Sequence, residues 1–218
     1  YQSEYAQGAT TDLPSTEKLA KELAKGFRGS RNDHTPYIAI LKCLGATAGS
    51  RVFDYGCSWG YGSWQMAAEG FDVTAYEISR PRAAYAAKEL GVRLSEMSRE
   101  TAASYDFFFS AHVIEHVPSP AQMLKDGMRL LKPDGVFLAI TPNGSDAFRK
   151  AKGPSWSSLW GNVHPQLISD DWILQATADP CFISSLPIDL PAIAAWKQER
   201  VVSGNLTGWE LAFAVRKR

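Results

Sequence analysis

VFDYGCSWGYG, residues 52–62, is a short apolar run that breaks into a glycine-rich turn. The run RVFD (51–54) reads as a strand, and Tyr61 to Glu69, closed by Gly70, reads as a helix. Glycines at 56, 60 and 62 let backbone amides approach a ligand closely. The helix N-terminus behind them favours an anionic or carboxylate-bearing group. The next predicted strand, DVTAYE (72–77), ends on Glu77, 21 residues after Gly56, where a carboxylate can accept hydrogen bonds from both hydroxyls of a ribose. The turn is not G-x-G-x-x-G: Ser58 stands where the middle glycine would be, and Asp54 precedes the first glycine. An acidic strand end repels a pyrophosphate and suits the ammonium of an amino-acid tail, reached through water or backbone. A nucleoside carrying an amino acid therefore fits better than a dinucleotide. The plain alternative is a turn that only closes a strand against a helix.

Outward from that turn, strands and helices alternate. SRPRAAYAAKEL (79–90) predicts an alanine-rich helix with Ala83, Ala87 and Leu90 on one face. VRL (92–94) is a weak third strand, YDFFFS (105–110) a buried fourth, and GVFLAI (135–140) a fifth. Ser119, Pro120 and Gln122 form a capping box for a helix with Leu124, Met128 and Leu131 on its stripe, ending in the turn KPDG. Helical spacers of about ten residues imply βαβ crossovers and a parallel sheet. CFISSL (181–186) and WELAFAVRK (209–217), with only PAIAAWKQ (191–198) between them as a short helix, predict an antiparallel closing pair. The expected fold is α/β: a Rossmann-like, doubly wound, seven-stranded sheet, mostly parallel with an antiparallel C-terminal strand.

Residues 1–50 read as a helical cap. Leu19, Leu23 and Phe27 share a stripe after Pro14-Ser15-Thr16-Glu17, and a second helix runs from about Pro36 to Leu44 and stops at Gly45. Residues 51–218 then form the main domain, with an insertion at about 141–168 that carries Trp156 and Trp160, read as packing or as a lid. Tyr1 and Tyr5 fall in a segment expected to order with ligand. The 23 basic residues balance 23 acidic ones in a chain of 218, so no net field draws it to nucleic acid or an anionic membrane. No apolar run approaches the ~20 residues of a membrane span. Three cysteines without a C-x-x-C pair argue against a disulfide framework or zinc cluster and for a reducing, cytoplasmic setting. No initiator Met is present, which points to a chain excised from something longer.

DYGCSWG (54–60), AYEIS (75–79), YDFFFSAHVIEHVPSP (105–120) and LLKPDGVFLAITPNG (130–144), in this order and spacing, resemble the class I S-adenosylmethionine-dependent methyltransferases. The likeness spans Arg51 to about Ile140 and favours the small-molecule branch that includes quinone and sugar O-methyltransferases. Ser58 and Trp59 depart from the family's usual D-x-G-C-G-T-G. The resemblance implies S-adenosylmethionine as cofactor, with Asp54, Gly56, Cys57, Ser58 and Gly60 along its methionine part. It also implies Glu77 at the ribose, Ile78 against the adenine, Ser95-Glu96-Met97 at the adenine edge, and backbone of Ser110 and Ala111 toward the sulfonium. Cys57 reads as a small packed residue, not a nucleophile.

Methyl transfer to an alcohol gains from a base, and histidine suits neutral pH. His112 and His116 follow the fourth strand at the carboxyl edge of the sheet, where ligands bind in such folds. His164 leaves the tryptophan-bearing insertion. These three are the catalytic candidates, each set against a capping or loop-bracing role, and His34 is assigned none. No metal is expected, because no carboxylate trio has ligand spacing. The expected acceptor is a small molecule or glycan, with no nucleic acid. An NAD(P)-dependent oxidoreductase and a non-catalytic S-adenosylmethionine-binding module are the rival readings.

Overall fold

A computed structural model of the chain describes residues 12–159 and 164–218. It divides into two compact units, Tyr1–Glu100 and Thr101–Arg218.

In the first unit, α1 (Thr16–Ala24) starts where Ser15 Oγ accepts from Lys18 N–H at 3.2 Å. The predicted stripe does not run through to Phe27. The helix stops at Ala24, and Gly26 and Phe27 both adopt the left-handed region. Phe27 is nevertheless fully buried, its ring 5.8 Å from Trp59 and 5.5 Å from Trp64. That packing accounts for Trp59: it is 1% exposed and clusters with Leu19 and Phe27, so it anchors the N-terminal helix. Then come α2 (Thr35–Cys43), β1 (Arg51–Tyr55), α3 (Tyr61–Ala68), β2 (Asp72–Tyr76) and α4 (Arg80–Leu90). β1 and β2 pair in parallel from Arg51↔Asp72 to Tyr55↔Tyr76, as a βαβ crossover requires. On α4 the fully buried residue is Ala86, and Leu90 packs against the same cluster; of the expected face only Ala87 turns out to be exposed. The weak strand at 92–94 reduces to a single bridge, Ala75↔Leu94.

The second unit holds β3 (Tyr105–Ala111), α5 (Pro120–Leu130), β4 (Leu131–Pro142), α6 (Asp146–Lys152), α7 (Asp170–Ala176), β5 (Cys181–Ser185), α8 (Leu190–Ala195), β6 (Arg200–Val202) and β7 (Glu210–Arg216). Its strands run in the order β3-β4-β7-β5-β6. β3 and β4 are parallel, β7 runs antiparallel to both β4 and β5, and β6 is parallel to β5. The KPDG turn is absorbed into β4 as an irregularity: pairing jumps from Tyr105↔Leu131 to Phe107↔Val136, with Asp134 at φ +64°. Stacked rings fill the interior, Phe108 on Phe137 at 4.8 Å and Phe137 on Phe213 at 5.9 Å. Gly127 of α5 leaves room for this, since a Cβ there would stand 2.6 Å from the Phe137 ring. Seven strands were expected and seven are present among the described residues, but Arg200–Val202 replaces 92–94 among them. Among the described residues, no helix is long and apolar enough to cross a membrane.

Candidate functional site

The glycine-rich turn of the first unit is held by backbone. Gly56 (φ +87°), Ser58 (φ +53°) and Gly60 (φ +93°) all occupy the left-handed region. The amides of Gly56 and Cys57 both donate to Tyr76 O, at 2.8 and 3.0 Å, which ties the turn to the end of β2. Gly60 is required twice over: by its φ, and because a Cβ would lie 2.8 Å from Ala86 Cβ and 2.9 Å from Val92 Cγ2. Ser58 takes the conformation that glycine would take, at some strain for a residue with a Cβ. Its Oγ is buried with no hydrogen-bond partner among the described residues.

Glu77 is fixed at the mouth of this turn. One carboxylate oxygen accepts from Ser58 N–H at 2.9 Å and the other from Ser79 N–H at 2.8 Å. A carboxylate offers about four acceptor directions, so capacity remains for a ligand. Ile78 beside it is 54% exposed, an apolar surface presented to solvent. Ser95 N–H donates to Ala75 O at 2.9 Å, which brings Ser95, Glu96 and Met97 to the same end of β2. Tyr55 and Tyr76, at the ends of β1 and β2, stack at 5.1 Å.

Asp54 is 3% exposed and accepts from Ser63 Oγ at 2.5 Å. Burial raises its pKa to about 7; the Ser63 bond pulls the other way, and the nearby Glu77 charge adds to the rise. Cys57 packs with Ala75, Ala86 and Val92. Burial, then the charges of Asp54 and Glu77, push its thiol well above its usual range, which leaves it unreactive.

In the second unit, Ser110 and Ala111 end β3, paired with Ala139 and Ile140. The chain then turns sharply at His112, a non-glycine residue at φ +56° whose amide donates to Ile140 O at 2.8 Å. His112 Nε2 meets Glu210 Oε1 at 2.6 Å, and its Nδ1 lies 3.7 Å from Glu115 Oε1. Burial among protein atoms disfavours the charged ring, but the two carboxylates outweigh it and raise the pKa to about 10. The side chain is 43% exposed, so solvent screening trims the size of that rise but not its direction. His112 is thus an imidazolium at neutral pH, a poor proton acceptor.

Glu115 is fully buried; Thr141 Oγ1 donates to its Oε2 at 3.0 Å. His116 Nε2 stands 3.8 Å from Glu115 Oε1, and the His116 and His164 rings are 5.1 Å apart. Gln166 Nε2 donates to Val117 O at 2.6 Å and pins the His164 segment to the His116 loop. All three candidate histidines therefore converge, with Glu115, Thr141 and Glu210 as partners that sequence reading missed. The signal for Glu115 was its place between His112 and His116; nothing local marked Thr141 or Glu210. His34 caps α2, packed against Tyr37 and Tyr61. Of the tryptophan pair, Trp156 is half-buried, whereas Trp160 lies outside the described residues, as do Tyr1 and Tyr5.

Residues 29–177 match the family model described as a methyltransferase domain. The chain is 34% identical over 178 residues to a ubiquinone biosynthesis O-methyltransferase of Caulobacter sp. (strain K31), covering 75% of this chain and 65% of that protein. It thus spans between about half and just under two thirds of the length of the curated relatives it matches. An S-adenosylmethionine-dependent methyltransferase from Thermotoga maritima superposes with a TM-score of 0.59 at 18% identity, over 93% of this chain and 98% of the other. A phosphoethanolamine N-methyltransferase from Haemonchus contortus, solved with S-adenosyl-L-methionine, gives 0.57 at 20% identity over 91% of this chain and 57% of its own. These likenesses establish the fold: the Rossmann-like seven-stranded α/β sheet with an antiparallel strand near the C-terminus.

Proposed function

The chain belongs to the class I S-adenosylmethionine-dependent methyltransferase family, and from that premise we propose that it methylates a hydroxyl oxygen of a small molecule. The observation that carries this reading is the Glu77 carboxylate, held by the Ser58 and Ser79 amides beside a left-handed glycine turn. The residues present fit the cofactor. Ser58 Oγ is a buried polar atom awaiting a partner, Glu77 has acceptor capacity for ribose hydroxyls, and Ile78 offers an apolar face for adenine.

Bound there, S-adenosylmethionine supplies a methyl group on a sulfonium, open to in-line displacement. Asp54, Gly56, Cys57, Ser58 and Gly60 would hold its amino-acid part, Glu77 its ribose, and Ser95, Glu96 and Met97 its adenine edge. Ser110 and Ala111 are assigned to the sulfonium side. An ammonium near Asp54 would return that carboxyl to its charged form. His116 and His164 are assigned to the acceptor hydroxyl, where they favour loss of its proton. His112, already protonated, serves as a fixed positive charge.

The relatives' role in ubiquinone biosynthesis makes a phenolic hydroxyl the first acceptor to try. Sugars and glycans are the next. Residues 1–50 are proposed as a cap and 51–218 as the catalytic domain, with 141–168 on the acceptor side. The cytoplasm is proposed as the compartment, on the support of three cysteines that are all free thiols.

The test is turnover: S-adenosylhomocysteine release measured with a panel of phenols, sugar alcohols and amines. Release with hydroxyl acceptors is expected, lost with their O-methylated counterparts. Release with amines only would replace O-methylation by N-methylation, and none with any acceptor would favour a non-catalytic binding module.

A further inference from the structure

Within the second unit, a groove of about 640 Å3 opens where the end of β7 meets the loop after α8. Asp134, Trp196, Lys197, Gln198, Glu199 and Arg216 line it. Glu210, which meets His112, begins β7, and Arg216 ends it, ~20 Å away at the usual rise of a strand. The groove is therefore separate from the histidine cluster. Arg216 is held firmly. Its backbone N–H donates to Pro180 O at 2.9 Å, and its Nη1 donates to Asp134 O at 3.0 Å. Its guanidinium lies 5.1 Å from the centre of the Trp196 ring, within cation–π range. Trp196 is in turn 8% exposed, backed by Phe182 at 6.2 Å, with Nε1 donating to Glu199 O at 2.9 Å.

That frame orients the guanidinium plane but uses only Nη1. The Nε and Nη2 donors have no acceptor among the described residues, and together they form the fork that matches both oxygens of one carboxylate. Arg216 is half-buried, so its hydration is incomplete. Burial pushes its pKa below the ordinary value, and the Asp134 charge offsets only part of that. Lys197 adds a second cation to the groove, and Asp134 and Glu199 carry carboxylates at its exposed rim. Among the described residues, none of these charges forms an ion pair with another. We propose that this groove binds a small organic monocarboxylate, whose two oxygens take the Arg216 fork beside Trp196. One negative charge gains from Arg216 and Lys197, whereas a polyanion is repelled by Asp134 and Glu199. A planar, two-oxygen anion also uses the orientation that Trp196 imposes, which a spherical ion such as chloride does not. The site depends on neither the cofactor reading nor the acceptor reading above.

The experiment titrates the whole chain with butyrate at fixed ionic strength, chloride being the balancing anion. The Trp196 indole N–H is followed by NMR, with Trp196→Phe identifying its signal, and the heat by calorimetry. Butyrate has no ring and no hydroxyl, so it does not stand in for a methyl acceptor. One saturable site per chain that shifts the Trp196 signal is expected. Arg216→Gln should weaken it by more than about tenfold, as the loss of charged hydrogen bonds implies. Arg216→Lys should weaken it by several-fold, because an ammonium keeps the charge without the fork. Inorganic phosphate, largely a dianion at pH 8, should bind more weakly than butyrate. Denaturant unfolding reports that the variants are folded, and if Arg216→Gln is not, Arg216→Lys decides the matter. Wild type without a saturable shift, an Arg216 variant that binds as wild type does, or phosphate bound as tightly as butyrate overturns the proposal.

Discussion

The glycine turn of the first unit and the histidine cluster of the second are built by opposite means. The turn is contiguous: residues 54 to 60 and 77 to 79 hold one another through amide hydrogen bonds to Tyr76 O and to Glu77. The cluster is assembled from side chains far apart in sequence: His112, Glu115 and His116 on one loop, Thr141 on a strand, His164 after an insertion, Glu210 on the last strand. A backbone-built cradle suits a cofactor shared by a whole family. A side-chain cluster suits an acceptor side that varies between members.

If the cradle depends on backbone conformation, its largest sensitivity is steric. Gly60→Val should cost about 2–5 kcal/mol of first-unit stability, from left-handed strain and overpacking against Ala86 and Val92, measured by denaturant unfolding. Next is the buried charge. Asp54 has a pKa of about 7 in the folded chain against about 3.9 unfolded. Its contribution to stability is therefore complete below about pH 4 and is lost as pH rises through 7. Asp54→Asn should be the more stable protein at pH 8, by about 2–4 kcal/mol, and the gap should close on acidification. A thermal-unfolding series with pH that shows parallel curves for the two proteins would remove Asp54 from the cradle's electrostatics.

Smaller effects sharpen the contrast. Glu77→Ala should weaken S-adenosylhomocysteine binding by about 1–3 kcal/mol through lost charged hydrogen bonds. His116→Ala and His164→Ala should leave that binding alone and lower turnover at saturating cofactor by at least about tenfold. Equal losses of cofactor affinity in the histidine variants would erase the proposed division of labour. Ser58→Gly, which relieves the left-handed strain and removes one hydroxyl, should change stability by less than about 1 kcal/mol.

What the sequence displayed follows the same division. The turn, Glu77 and the parallel β1–β2 pair were readable because their chemistry lies within 30 or so residues. Periodicity placed β3, β4 and β7, whose buried runs are long. It misplaced one strand: VRL has too few residues to pair beyond Ala75↔Leu94, whereas Arg200–Val202 carries charge and exposure that disguise a strand at the sheet's edge. Phe27 kept its core role while leaving the helix, because tertiary packing against Trp59 and Trp64 overrides a glycine-broken stripe. Glu210 was illegible as a partner of His112, since only the folded chain brings residues 98 positions apart to 2.6 Å.

The central claim is that the first unit binds a nucleoside bearing an amino acid through Glu77. The direct measurement is calorimetric titration of wild type and Glu77→Ala with S-adenosylhomocysteine and with NAD. One site for S-adenosylhomocysteine, weakened in the variant and with no heat from NAD, is the predicted result. Binding of NAD alone, or an S-adenosylhomocysteine dissociation constant unchanged by the loss of Glu77, would contradict it.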